Sequence, residues 1–166
     1  MEIFIVDSNF FIQAHRSIYP LDIALGFWNK VKQLAHAGLL FSIDKVKDEL
    51  YDKNDELEVW CKNNLPENFF IDSSTAIAQY AIVSAWAISK NDHYLPNALN
   101  EFLDASEADA FLVSFALADP VIRIIVTQEV SRPEQKNKIK IPEPCIALGI
   151  NYLNTIAMFR KLGETF

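Results

Sequence analysis

Residues 1–11, MEIFIVDSNFF, decide the fold. Residues 3–6 form a short, continuous apolar run rich in β-branched and aromatic side chains, which is typical of a strand buried on both faces. Asp7 ends this predicted strand with a carboxylate at the edge of the core. A buried charge is costly unless it is paired. Asp7 is therefore expected either to cap the helix that follows or to belong to a functional site.

The composition predicts one globular domain over residues 1–166, with 51% apolar residues. No basic region with a cleavage site begins the sequence, so a cytoplasmic location is expected. The longest apolar stretch, residues 75–88, is shorter than the roughly 20 residues that span a bilayer, so no membrane partner is expected. Cys61 and Cys145 lack a CxxC spacing, which favours two reduced thiols over a disulfide or zinc site.

The net charge of −7 argues against broad electrostatic attachment to nucleic acid, because phosphate binding is driven by Lys and Arg. It does not exclude a metal-dependent nuclease, whose carboxylates count against the formal charge until cations bind. No GxxxxGK[ST] or GxGxxG loop is present, which removes the common nucleotide-binding classes. The DxDx[TV] start of aspartyl phosphatases is also missing, because Asn9 occupies the second acidic position.

Short strand-like runs alternate with helical segments along the chain. Strands are predicted over residues 3–6, 39–42, 123–127 and 151–153. Helices are predicted over residues 8–18, 21–36, 44–53, 56–63, 73–89, 97–103, 107–117, 142–148 and 155–162. Strands separated by helices in this way predict an α/β fold, a parallel sheet with helices on both faces.

Four carboxylates are placed where such a fold binds ligands. Asp7 and Glu129 follow apolar strands, and ligands bind beyond the carboxyl ends of parallel strands. On a helical wheel Glu49 borders the apolar stripe of its helix, whereas Asp48 points nearly opposite. Asp109 shares a face with apolar residues of a buried helix, so it is expected to point inward.

Each of these acids also has an ordinary structural interpretation. Asp7 suits a helix cap, and residues 106–109, SEAD, match the [ST]xx[DE] capping box. Glu49 would then be a surface acid and Glu129 a loop residue. Semi-buried acids are only probabilistic markers of function.

Four carboxylates gathered at one point repel one another and raise each other's pKa, so a fold that collects them is expected to hold a divalent cation. Oxygen ligands without His or Cys suit Mg²⁺ or Mn²⁺ better than zinc. Such a site supports in-line attack of metal-activated water on a phosphodiester.

Four segments, in this order, resemble the PIN domain family, named after the PilT N-terminus: IFIVDSN (3–9), DKVKDEL (44–50), ADAFLVSFAL (108–117) and IIVTQE (124–129). The tail KIKIPEPCIALGINYLN (138–154) resembles an uncharacterised PIN-like toxin group. The resemblance covers nearly the whole chain. It implies a three-layer α/β/α PIN-like fold with a central parallel sheet, and a Mg²⁺- or Mn²⁺-dependent ribonuclease, the toxin of a toxin–antitoxin pair.

The resemblance also implies site residues. Catalytic and metal-binding roles would fall to Asp7, Glu49, Asp109 and Glu129, and supporting roles to Asn9, Thr127, Asp104 and Glu107. Many members have Asp where this chain has Glu129, so that side chain would bind metal directly or through water. Asp104 and Glu107 are the acids that would contribute in its place.

Partners are predicted from two further features. The one concentrated basic stretch, SRPEQKNKIK (131–140), directly follows Glu129 and would lie along RNA through Arg132, Lys136 and Lys138; a solvated loop is the alternative. The apolar helix within residues 73–89 favours a protein interface, with an antitoxin or a second copy of the chain. Two other functions stay open: a catalytically inactive module that binds RNA or protein, and a small-molecule phosphohydrolase.

Overall fold

The computed structural model describes every residue from Met1 to Phe166 and contains five short strands and nine α-helices. The strands are β1 (Ile3–Val6), β2 (Leu40–Ile43), β3 (Phe70–Ile71), β4 (Arg123–Val126) and β5 (Tyr152–Leu153). The helices are α1 (Ser8–Gln13), α2 (Leu25–His36), α3 (Asp44–Leu50), α4 (Glu56–Asn64), α5 (Ile77–Ser89), α6 (Pro96–Phe102), α7 (Asp109–Leu117), α8 (Pro142–Leu148) and α9 (Thr155–Leu162). No helix combines the length and apolar character needed to cross a membrane.

All five strands are parallel and lie in the order β3-β2-β1-β4-β5. Strand β1 is central: Phe4 pairs with Leu40 on one side, and Ile5 pairs with Ile125 on the other. The chain runs from β1 outward through β2 and β3, and later adds β4 and β5 on the opposite side. Because crossovers between parallel strands are right-handed, this reversal places helices on both faces of the sheet. The α/β prediction with a central parallel sheet is confirmed.

Several boundaries differ from the sequence predictions, each for a local reason. The two-residue strand β3 was not predicted, because it is too short to show any periodicity. The helix predicted over 8–18 is α1 followed by a π-helical turn, Ala14–Ile18. Helix α2 begins at Leu25 because residues 21–23 form a turn, in which the N–H groups of Ile23 and Ala24 donate to the Pro20 carbonyl. The segment predicted as helix from residue 73 starts as a 3₁₀ turn, Ser73–Ala76.

The hydrophobic core contains 39 buried residues and includes most of β1 and β4. In β1, Phe4, Ile5 and Val6 are essentially inaccessible to solvent. The buried hydroxyl of Ser42 on β2 donates a 2.7 Å hydrogen bond to the Val6 carbonyl. This bond joins β2 to the last residue of β1 and so fixes the point at which the chain leaves the sheet.

Replacing Ser42 with Ala removes this buried bond and is expected to lower the free energy of unfolding by about 1–2 kcal/mol. Chemical denaturation measures the change. Ser89→Ala is the matched control, since the exposed Ser89 hydroxyl bonds only the Trp86 carbonyl of its own helix, and it should change stability by less than about 0.5 kcal/mol. Equal midpoints for the two variants would contradict this role of Ser42.

Candidate metal centre

The carboxyl ends of β1 and β4 form the point at which the sheet order reverses. Asp7 directly follows β1, and its backbone N–H donates to the Val126 carbonyl at 3.4 Å. Thr127, Gln128 and Glu129 directly follow β4. The connections leaving these neighbouring strands diverge, and in open α/β sheets this divergence creates the crevice that binds ligands.

Asp7 is buried, with 3% of its surface exposed, and both of its carboxylate oxygens have partners. Oδ1 accepts from the backbone N–H of Phe10 at 2.9 Å, and Oδ2 accepts from the Thr127 hydroxyl at 2.8 Å. Asp7 therefore caps α1, as one of the two interpretations drawn from the sequence predicts. The same carboxylate also contacts the residues that follow β4.

Burial raises the pKa of Asp7 from its ordinary value of 3.8 to about 7. The bonds from Thr127 and Phe10 oppose this rise, whereas the charges of Glu129 and Glu49 add to it. The Asp7 carboxylate thus interacts electrostatically with acids from two other parts of the chain. Thr127 connects Asp7 to Glu129 directly, because its hydroxyl oxygen also accepts from the backbone N–H of Glu129 at 3.1 Å.

A cavity of about 130 Å³ opens beside Asp7. Its polar lining comes from helices α1, α3, α6 and α7 and from the segments before α7 and after β4: Ser8, Asn9, Glu49, Glu101, Glu107, Asp109, Glu129 and Lys138. Five of these side chains are acids and one is a cation. Of the four principal acids predicted from the sequence, three line this cavity, and Asp7 is coupled to all three through charge.

Asp109 lies in the first turn of α7 and faces this cavity. Its pKa is raised to about 8. Burial is the largest cause, and the negative charges of Glu129 and Asp7 contribute more to the rise than that of Glu49. Lys138 acts in the opposite direction and lowers it. The cavity is lined by five acids and only one cation, so the negative charges that raise the pKa of Asp109 are not fully balanced by Lys138.

The capping-box interpretation of residues 106–109 is wrong. The N-cap of α7 is Ala108, which has no side-chain cap of its own. Glu49 supplies the acceptor instead: its Oε1 accepts the Ala108 N–H at 3.2 Å. Helix α3 therefore binds the start of the helix that carries Asp109. Asp48 is exposed whereas Glu49 is partly buried, as the helical wheel predicts.

Glu129 is held in place by the segment that follows it. Its Oε2 accepts the Ile141 N–H at 2.8 Å, and its Oε1 lies 3.9 Å from the Lys138 ammonium. Only 10% of the Glu129 side chain is exposed. The extra methylene relative to Asp thus lets this carboxylate reach the backbone beyond the basic stretch.

The predicted supporting residues other than Thr127 divide into two groups. Asn9 and Glu107 line the cavity, and burial together with Glu49, Glu101 and Asp104 raises the pKa of Glu107. Asp104 lies outside the cavity in an exposed turn, where its Oδ1 accepts from the N–H and hydroxyl of Ser106. These bonds lower the pKa of Asp104.

Glu101 lines the cavity but was not identified from the sequence. Its position in α6 gave some indication, because Ala98 and Phe102 are buried on the inner side of this helix and Glu101 lies next to Phe102. No strand directly precedes or follows α6, however, so the rule that ligands bind beyond strand ends does not apply to Glu101.

Three of the basic residues after Glu129 lie around a second, adjoining cavity of about 280 Å³. Arg132, Lys138 and Lys140 line it together with Asn9 and Glu129. Lys136 lines neither cavity. Its backbone carbonyl instead accepts from the N–H of Leu95 at 2.9 Å, which anchors the segment to the start of α6.

The donor set suits a hard divalent cation, since it consists of carboxylate oxygens with no His or Cys. The side chains are not yet arranged as ligands: no group of three or more His, Cys, Asp or Glu residues is positioned to hold a metal ion. Glu49 and Glu129 each accept a backbone N–H through one oxygen. The second oxygen of each carboxylate has no hydrogen bond and could coordinate a cation.

Comparisons with known proteins support the fold. A family model described as a domain of unknown function (DUF4411) matches residues 4–166. No curated protein matches the chain. Among solved structures, the chain is similar to the crystal structure of VapBC2 from Rickettsia felis bound to a DNA fragment from their promoter, with a TM-score of 0.53 and 15% identity over 92% of this chain and 98% of that chain. At this identity the likeness shows the fold, and the PIN-like architecture is confirmed.

The raised pKa of Asp7 makes stability depend on pH. Because the unfolded carboxyl titrates near 3.8 and the folded one near 7, the unfolded state loses its proton first, and stability falls as pH rises across this range. The loss is on the order of 4 kcal/mol by pH 8. In a chelating buffer, Asp7→Asn should lose less stability than wild type between pH 5 and pH 8 and should melt at a higher temperature at pH 8.

Thermal unfolding followed by circular dichroism measures this effect, and Asp48→Asn is the matched control because Asp48 is exposed on α3. The control should keep the wild-type dependence on pH. If Asp7→Asn melted no higher than wild type at pH 8, the folded structure would not disfavour the ionised Asp7 carboxylate.

Proposed function

The chain belongs to the DUF4411 family, and from the geometry of its acidic cavity we propose that it is a divalent-metal-dependent ribonuclease, the toxin component of a toxin–antitoxin pair. One observation carries the proposal. Acids from four separate parts of the chain converge at the switch point of a parallel sheet, and the pKa values of Asp7 and Asp109 are raised partly by one another and by Glu129. Perturbed acids clustered in a cleft favour a functional site.

Mg²⁺ or Mn²⁺ would be held by Asp7, Glu49, Asp109 and Glu129. When bound, such an ion supplies the activation of water for in-line attack on a phosphodiester and the stabilisation of the leaving oxygen. Thr127 holds the Asp7 carboxylate beside the residues that follow β4 through its 2.8 Å hydrogen bond. The raised pKa values favour protonated Asp109, and in part protonated Asp7, near neutral pH. Binding of the ion would require both groups to be deprotonated.

The adjoining basic cavity supports a polymeric substrate. Arg132 and Lys140 line this cavity together with Glu129, where they can contact phosphates that flank the scissile bond. Lysine and arginine side chains along a groove follow a nucleic-acid backbone without reading its sequence. A strand of RNA would therefore lie across the basic cavity, with one phosphate at the carboxylates.

The outer face of α5 supports the existence of a protein partner. Ile77, Ile82 and Ile88 are 63%, 52% and 56% exposed, and residues 73–89 contain no charged side chain. Exposed apolar patches of this kind mark interaction sites. An antitoxin and a second copy of the chain both remain predictions as the occupant.

A second candidate function is a module that binds RNA or protein without cleaving it. The lack of a ready-made set of three ligands favours this alternative. The two functions differ in their need for metal, because a binding module should bind RNA equally well in a chelating buffer and should not consume it when Mn²⁺ is added.

Asp109→Asn is expected to abolish Mn²⁺-dependent cleavage while the protein stays folded, since the cavity loses an inward-facing ligand. The loss should exceed about 100-fold, because even residues that only support metal ligands contribute 10- to 100-fold. Gel electrophoresis of labelled single-stranded RNA measures the rate, with single-stranded DNA and a panel of phosphate monoesters assayed in parallel.

Asp48→Asn, on the exposed side of α3, serves as the matched control and should cleave at the wild-type rate. Equal cleavage by Asp109→Asn and wild type would contradict the assigned site. RNA binding without any cleavage would favour the binding module, and activity confined to monoesters would favour a small-molecule phosphohydrolase.

A further inference from the structure

Lys138 is the only cation that lines the acidic cavity. Its ammonium lies 3.9 Å from Oε1 of Glu129. Lys138 also lines the adjoining basic cavity, and it shares this double position only with Asn9 and Glu129. Its side chain therefore lies at the border between the carboxylates and the surface on which phosphates would bind.

The backbone around Lys138 is anchored on both sides. Before it, the Lys136 carbonyl accepts from the N–H of Leu95. After it, Ile139 and Ile141 are buried, and the Ile141 N–H donates to Glu129. These contacts hold the Lys138 Cα at the cavity, while 41% of the side chain remains exposed. The ammonium can thus move on its flexible stem although its attachment point is fixed.

An ordinary surface ion pair would have little effect, because water screens both charges. This pair differs, since the Glu129 side chain is only 10% exposed. The ammonium also faces other acids of the cavity, because Glu107 and Asp109 line the same space as Lys138. Its charge therefore offsets repulsion among several carboxylates rather than pairing with one.

We propose that Lys138 is a tethered cation that neutralises the acidic cavity before a metal binds, and that a divalent ion must displace its ammonium toward the basic cavity. The inference rests on the proposed metal-dependent function. A lysine ammonium and a dication repel each other strongly at the distances available within one small cavity. Lys138 thus weakens metal binding in the free protein and becomes available to a substrate phosphate once the metal is in place.

This role accounts for the present arrangement of the acids. Glu129 faces Lys138 and the Ile141 N–H instead of joining a ligand set, and the cavity contains no group of three acids positioned for a metal. Departure of the ammonium would free Oε1 of Glu129. Metal binding and the movement of Lys138 are therefore coupled.

The test compares Lys138→Met with Lys140→Met. Both variants remove one positive charge from the same segment, but Lys140 lines only the basic cavity. Isothermal titration with Mn²⁺ should show that Lys138→Met binds about tenfold more tightly than wild type. Lys140→Met should stay within about twofold of wild type, and so should Lys138→Arg, which keeps the charge.

Melting in a chelating buffer gives a second readout that needs no metal. Lys138→Met should melt roughly 2–5 °C below Lys140→Met, because the acids of the cavity lose the positive charge that lies among them. A melting temperature equal to or above that of Lys140→Met would overturn the neutralising role.

The failure of this inference differs from the failure of the proposed function. If wild type binds Mn²⁺, Asp109→Asn does not, and Lys138→Met binds no more tightly than wild type, the tethered-cation role is overturned and the metal site stands. If neither wild type nor Lys138→Met binds Mn²⁺, both are overturned. Binding by Lys138→Met alone would support the inference in its strongest form.

Discussion

The cost of placing several carboxylates at the carboxyl ends of β1 and β4, out of full contact with water, is the constraint on which the rest of this site depends. Burial, and to a smaller extent mutual repulsion, disfavours their charged forms. The protein compensates in three ways: Asp7 and Asp109 have pKa values near or above neutrality, Glu49 and Glu129 accept backbone N–H groups, and Lys138 brings in a positive charge. Each of these is a weaker form of what a bound dication would provide.

The fold produces this concentration of charge as a consequence of its core. Strands β1 and β4 are apolar on both faces because helices cover them, so polar side chains can appear only where the strands end. Parallel strands end at the same edge, which brings Asp7 beside Thr127. Helices α3 and α7 then reach this edge, and the bond between Glu49 and the Ala108 N–H joins them there.

The sequence predicts the parts of the site that depend on local pattern. The apolar run before Asp7 and the helical positions of Glu49 and Asp48 are local features. The structure shows the run as a buried strand, Glu49 partly buried and Asp48 exposed. Strand β3 and the cap supplied by Glu49 depend on tertiary contacts that no periodicity reveals. The same holds for Lys138, since a basic stretch resembles a solvated loop until Ile139 and Ile141 are seen to be buried.

Anomalous diffraction from crystals soaked in Mn²⁺ tests the central claim most directly, because it locates the cation and its ligands together. We expect one or two peaks bounded by Asp7, Glu49, Asp109 and Glu129. The Lys138 ammonium should then lie in the basic cavity. Crystals that show no anomalous peak at saturating Mn²⁺, with these carboxylates unmoved, would contradict the account.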